Sequence, residues 1–210
     1  MSVLEKISAS LQAGKAKDVA QFVQEAVDSG ISAQEILDNG LLAGMGIIGA
    51  KFKNNEVYVP EVLIAARALN KGTELLKAKL LEEGVEAIGK VVICTVKGDL
   101  HDIGKNLVKM MLEGSGFELI DLGVDVSEDK IVEAVKEHKP QVLCLSALLT
   151  TTMNQLQVAI DAINAAGIRN DVKIMVGGAP VTQAFSDQVG ADAYTSDAAS
   201  AAEVAKTFVA

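Results

Sequence analysis

From Lys90 to the end of the chain, short apolar runs alternate with amphipathic segments, whereas residues 2 to about 83 repeat their apolar positions only at helical spacing. The pattern predicts two domains, a helical one over 1–88 and an α/β one over 89–210. The acidic stretch from Glu82 to Gly89, with Gly84 inside it, is read as the linker between them. In the first half, punctuation predicts four helices. They cover 2–13, then 15–29 stopped by Gly30, then 32–52 opened by a Ser32/Glu35 capping box, then 60–81 opened by Pro60. Four helices of this size with short loops read as a small bundle. Gly40, Gly44, Gly46 and Gly49 lie inside the third, where each costs up to ~1 kcal/mol against alanine. Something approaches that helix closely, and a packed neighbour and a ligand explain it equally well.

In the second half, strands fit 90–96, 118–122, 141–146, 172–176 and 192–195. Helices fit 103–114, 128–138, 153–166, 181–188 and 198–208. The expected fold class is α/β, a five-stranded parallel sheet with helices on both faces. Such sheets bind ligands beyond the carboxyl ends of their strands. Three segments meet on that rim: Gly98 to Gly104 after the first strand, Ser146 to Thr152 after the third, and Gly177-Gly178 after the fourth.

The first of these carries the most specific chemistry. Asp99-Leu100-His101-Asp102-Ile103-Gly104 puts a histidine on a strand-to-helix loop with a carboxylate two residues before it. An imidazole that binds a transition metal must be neutral and held in one tautomer, and a carboxylate on its other ring nitrogen supplies both conditions. Gly104 would let the backbone approach a bulky ligand. The bland alternative makes His101 a polar loop residue and Asp99 a turn former. Likewise, Ser146, Thr150 and Thr152 are ligand-facing hydroxyls or ordinary helix caps, and Gly177-Gly178 clears space for a ligand or makes a tight turn.

Composition narrows the functional classes. A net charge of −9 and a pI near 4.8, without a long basic cluster, argue against nucleic acid or an anionic membrane surface as partner. No apolar stretch is long enough to span a bilayer and the first residues lack a signal-peptide pattern, so a cytoplasmic location is expected. Cys94 and Cys144 each lie inside an apolar strand, as core residues, and two cysteines are too few for a structural zinc or iron–sulfur site.

Taken together, Asp99-x-His101-x-x-Gly104, Ser146-x-Leu148 and Gly177-Gly178, in that order on a flavodoxin-like sheet, resemble the signature of cobalamin-binding domains. The helical half, through Gly44-Met45 and Val57-Tyr58-Val59-Pro60-Glu61-Val62-Leu63, resembles the cap module of corrinoid-dependent methyltransferases. The whole chain is similar to the corrinoid proteins of methanol, methylamine and methoxyarene (O-demethylase) methyltransferase systems.

The resemblance implies a cobalamin or related corrinoid as cofactor, with His101 as the lower axial cobalt ligand. It implies binding residues at Gly98, Asp99, Leu100, His101, Asp102, Ile103 and Gly104, with Ser146, Leu148, Thr150, Thr152, Gly177 and Gly178 along the slot for the nucleotide tail. Thr152 matches the position of the family's triad serine, keeping the hydroxyl and adding a methyl. Met45, Tyr58, Val59 and Leu63 are implied as an apolar lid over the upper face. The implied activity is that of a methyl shuttle, which does not itself select the substrate. It would take a methyl group on Co(I) from a substrate-specific methyltransferase and deliver it from methyl-Co(III) to a second methyltransferase acting on a tetrahydrofolate-type pterin or a thiol. A reductive activase is the third implied partner. A cobalamin-dependent regulator would need an output module, and none is visible; the cobalamin subunit of a mutase would not need the helical half.

Overall fold

The structure, a computed structural model, describes all residues from Met1 to Ala210. The chain forms two compact units, one of Met1–Ala87 with Gly114–Gly116 and one of Ile88–Glu113 with Phe117–Ala210. No helix is long and apolar enough to cross a membrane.

The first unit contains α1 (Val3–Gln12), α2 (Ala16–Asp28), α3 (Ala33–Glu35), a π-helical stretch Ile36–Leu42, α4 (Ala43–Lys53) and α5 (Val59–Glu82). Each start has a local cause. Ser2 and Glu5 close a reciprocal capping box on α1, and Ser32 Oγ accepts from Glu35 N–H at 3.2 Å. At α5 the Glu61 carboxylate accepts from Tyr58 N–H at 3.0 Å, and Pro60 occupies the first turn, where no amide donor is needed. One expectation is corrected: 32–52 is not a single regular helix. The wide turn brings Ile36 and Leu41, five residues apart, into the core together, which a 3.6-residue turn would not do. Two of the glycines inside it are also explained. A Cβ at Gly40 would meet Ile7 Cγ2 at 3.1 Å, and one at Gly44 would meet Ser8 Cα at 3.1 Å. The close neighbour is therefore α1 at these two positions, whereas Gly46 faces open space.

The second unit runs β1 (Lys90–Thr95), α6 (Ile103–Glu113), β2 (Glu118–Asp121), α7 (Glu128–His138), β3 (Val142–Ser146), α8 (Asn154–Ala165), β4 (Lys173–Gly177), α9 (Gln183–Val189), β5 (Ala193–Tyr194) and α10 (Ala198–Thr207), with a single 3₁₀ turn at Arg169–Asp171. All pairings are parallel in the order β2-β1-β3-β4-β5, so the expected five-stranded parallel α/β fold is the one observed.

Alternation along the strands separates two apolar layers. Val92, Cys94, Leu143, Leu145, Ile174 and Val176 share one core with Ile131, Ile160, Ile163 and Val189 of α7, α8 and α9. The residues between them, Ile93, Thr95, Cys144, Ser146, Met175 and Gly177, form the opposite face. There α6 packs on β1, and α10 packs on α6 through a side that is nearly all alanine. Strand order reverses between β1 and β3, so the crevice beyond their ends is where a ligand is expected.

Candidate functional site

Two loops flank that crevice, one from β1 to α6 and one from β3 to α8, and Asp99 joins them. Its side chain is completely buried, and five hydrogen bonds converge on it. Oδ1 accepts from His101 N–H at 3.1 Å and lies 2.7 Å from His101 Nδ1. Oδ2 accepts from the Leu148 and Leu149 amides at 2.7 and 3.3 Å and from Thr152 Oγ1 at 2.7 Å. Gly98, just before it, has φ +78, a conformation that costs glycine nothing and lets the chain turn at the strand end.

The electrostatics follow from those donors. Burial alone would raise the Asp99 pKa. The Thr152 hydroxyl, the His101 and Leu148 amides and the His101 ring outweigh burial and hold the carboxyl well below the usual carboxylate range. An ionised Asp99 can only accept, so Nδ1 carries a proton, and in the neutral form of the ring it is Nε2 that has the lone pair. Nε2 has no hydrogen-bond partner in the protein, and the His101 side chain is 49% exposed.

A second polar cluster lies beside the first. Lys105, on the first turn of α6, is buried and donates to both oxygens of Asp121 at 2.7 Å; Lys109 Nζ approaches the same carboxylate at 3.3 Å. Burial pushes the Asp121 pKa up, but Lys105, the Gly123 amide and Lys109 together leave it lowered. The two partners are not equivalent under mutation. Asp121→Ala leaves the buried Lys105 ammonium with only the uncharged Asn106 Oδ1, at 2.8 Å, and is expected to cost about 3–5 kcal/mol, whereas Lys105→Met leaves Asp121 with Lys109 and the Gly123 amide and should cost about half as much. Urea unfolding of the two variants measures the order, and equal losses would refute it.

The remaining expected residues fall as follows. Leu100, Ile103 and Leu148 are exposed apolar side chains around His101, and Leu149 joins them. Asp102 is exposed and accepts from Asn106 Nδ2 at 3.1 Å, while a Cβ at Gly104 would meet nothing within 4 Å. Ser146 and Gly177 pair in register at the strand ends, and a Cβ at Gly177 would meet only Thr195 O, at 3.9 Å. Gly178, at φ +132, lies against the Ala147 carbonyl. Thr150 is exposed and makes no hydrogen bond, so it is not part of the Asp99 cluster. In the helical unit Tyr58 and Leu63 are exposed and Val59 is half-buried. Met45 is corrected: it is 1% exposed, held in the bundle core by the turn of α4, and its neighbours Gly46 and Ile47 are exposed instead. The Lys105–Asp121 pair and Thr95 escaped the sequence reading. A lysine in the apolar stripe of α6 and a threonine and an aspartate ending apolar strands were the available signals.

This donor set suits one kind of metal. No group of three or more His, Cys, Asp or Glu residues could hold a metal ion. A lone neutral imidazole nitrogen ringed by exposed apolar side chains fits a metal that brings its other ligands in a large planar frame. The open space at Gly177, where a Cβ would meet only Thr195 O, leaves room for an appendage at the end of the sheet.

Comparison with known proteins agrees. A family model described as a B12 binding domain matches residues 89–205, and a second of the same description matches 3–77. Trimethylamine corrinoid protein 1 of Methanosarcina acetivorans is 46% identical over 178 residues, 83% of this chain and 82% of that protein. A cobalamin-binding protein from Desulfitobacterium hafniense superposes with TM-score 0.82 at 32% identity, over 99% of this chain and 98% of its own. The methanol:cobalamin methyltransferase complex of Methanosarcina barkeri contains a chain matching with TM-score 0.89 at 31% identity, over 99% of this chain and 79% of that one. A domain match over more than half the chain and relatives of this identity lead to the same place: this chain belongs to the cobalamin-binding corrinoid proteins of methyltransferase systems and binds cobalamin or a related corrinoid.

Proposed function

We propose that this protein carries a methyl group from a substrate-side methyltransferase to a second methyltransferase serving a tetrahydrofolate-type pterin or a thiol, with a reductive activase as its third partner. When bound, the corrinoid supplies the cobalt on which the methyl group travels. The observation that carries the reading is the pairing of one free, half-exposed imidazole nitrogen with a fully buried carboxylate. In it His101 Nε2 is the axial donor, and Asp99 keeps the proton on Nδ1 and holds the ring orientation. Thr152 and the Leu148 amide hold Asp99. Ser146 and Gly177 would hold the nucleotide tail, and Leu100, Ile103 and Leu148 would give the bound corrinoid an apolar contact. Tyr58 and Leu63, exposed, and Val59, half-buried, are the apolar groups of the helical unit that would shield a bound corrinoid from water. The relatives named for trimethylamine are 42–46% identical, and among solved structures the monomethylamine corrinoid protein is 36% identical against 31% for the methanol complex, which favours a methylated amine as donor.

The test is anaerobic reconstitution with cobalamin. Wild type is expected to bind it with a histidine-ligated absorption spectrum, and His101→Ala to retain binding but lose that spectrum. An unchanged spectrum would remove His101 as ligand. Methyl transfer from a methylamine-specific but not a methanol-specific methyltransferase would support the donor class, and the reverse would refute it.

A further inference from the structure

Thr95 ends β1, is completely buried, and has no role in the reading above. Its hydroxyl donates to the carbonyl oxygen of His101 at 2.9 Å. Its backbone is held as firmly: Thr95 N–H donates to Gly123 O at 3.0 Å, and Thr95 O accepts from Val126 N–H at 3.1 Å. The residue is thus anchored on both backbone groups to the segment after β2, and it presents one directed bond to the loop.

That bond completes the restraint on His101. Asp99 already holds the His101 amide and ring. With Thr95 on the carbonyl, both the amide and the carbonyl of His101 are fixed to buried groups at the end of β1 and the loop after it.

We infer that Thr95 is a positioning residue for the cobalt ligand: its hydroxyl fixes the His101 peptide, so that the ring would be presented to the metal without rearrangement of the loop. The inference rests on the assignment of His101 as axial ligand. Thr95→Val is nearly isosteric and removes only the hydroxyl, while Thr95→Ser restores it without the methyl.

Loss of a single hydrogen bond of this kind is expected to move the ratio of histidine-ligated to histidine-free protein about three- to tenfold. The experiment is electron paramagnetic resonance of the Co(II) form of wild type, Thr95→Val and Thr95→Ser, each loaded with cobalamin. Nitrogen hyperfine splitting counts the ligated fraction. Cobalamin affinity and the thermal unfolding of the corrinoid-free proteins are measured alongside. The expected result is a fall in ligated fraction for Thr95→Val, recovery in Thr95→Ser, and cobalamin affinity within about twofold of wild type. Equal ligated fractions in wild type and Thr95→Val would overturn the inference. So would a fall in Thr95→Val that tracks lost cobalamin affinity, which would place the hydroxyl against the bound corrinoid. Absence of nitrogen splitting in wild type itself would instead remove the ligand assignment, and the role of Thr95 with it.

Discussion

Replacing Gly178 by alanine is expected to lower the melting temperature of the α/β unit sharply. The added methyl would overlap the carbonyl oxygen of Ala147 and come within 2.7 Å of its carbon, both backbone atoms at the end of β3 that cannot swing aside as a side chain could. The φ of +132 adds strain for any residue with a Cβ. Overlap and strain together should cost about 3 kcal/mol or more, which lowers the Tm by on the order of 10 °C. Whatever relief the chain finds must shift Ala147, and with it the Leu148 amide that holds Asp99. The neighbouring Gly177→Ala is the control. Its new methyl would meet only Thr195 O at 3.9 Å, so stability should hold while affinity for cobalamin falls, because that methyl enters the tail slot. Calorimetry of the corrinoid-free proteins decides: Tm values within about 2 °C of each other would show that β3 yields more easily than its geometry indicates.

Asp99→Ala should be the most damaging change within the site. It removes the acceptor of the Leu148, Leu149 and His101 amides and leaves the Thr152 hydroxyl only the Leu149 carbonyl, at a cost of about 3–5 kcal/mol. Asp99→Asn keeps one acceptor oxygen but turns the other position into a donor facing donors, so it should recover little. The wild-type carboxyl also fixes the sign of the acid response. Because its folded pKa is lowered, its stabilisation is complete above the unfolded carboxylate value, about 3.9, and is lost as pH falls through the folded value. The wild-type protein should therefore hold its Tm down to about pH 4 and lose it below, with Asp121 contributing in the same direction. Asp99→Asn should be less stable at neutral pH and flatter in acid. Thermal melts from pH 7 to pH 2 measure both, and parallel curves for the two proteins would mean the carboxylate is not ionised in the fold.

The regular elements of the α/β unit were legible because their signals are local. Apolar runs of four to six residues bounded by turn residues mark strands, and the helix from Glu128 to His138 matched the expectation at both ends. The stretch from Ser32 to Phe52 was not, because a π turn differs from an α turn by one residue. What selects it is Gly40 lying on Ile7, a contact between residues far apart in the chain. The same distinction divides the site. Asp99 and His101 are two residues apart and could be read as a pair, whereas Leu148 and Leu149 reach Asp99 through backbone amides, which no side-chain pattern reports. Thr95 was hidden for another reason: it reads as an ordinary β-branched strand residue, and its hydroxyl matters only because the loop folds back over it.

The two thiols lend the molecule a use of its own. Cys94 and Cys144 lie on opposite faces of the sheet, both buried, and burial pushes each up to about 12. Neither has appreciable thiolate at neutral pH or a path for a reagent, so alkylation in the native state must wait for the sheet to open. The helical unit contains no cysteine at all. The rate at which a thiol reagent consumes this protein is therefore a clock for the opening of the α/β unit alone. A single cysteine introduced on the surface of either unit would take a dye against a silent background.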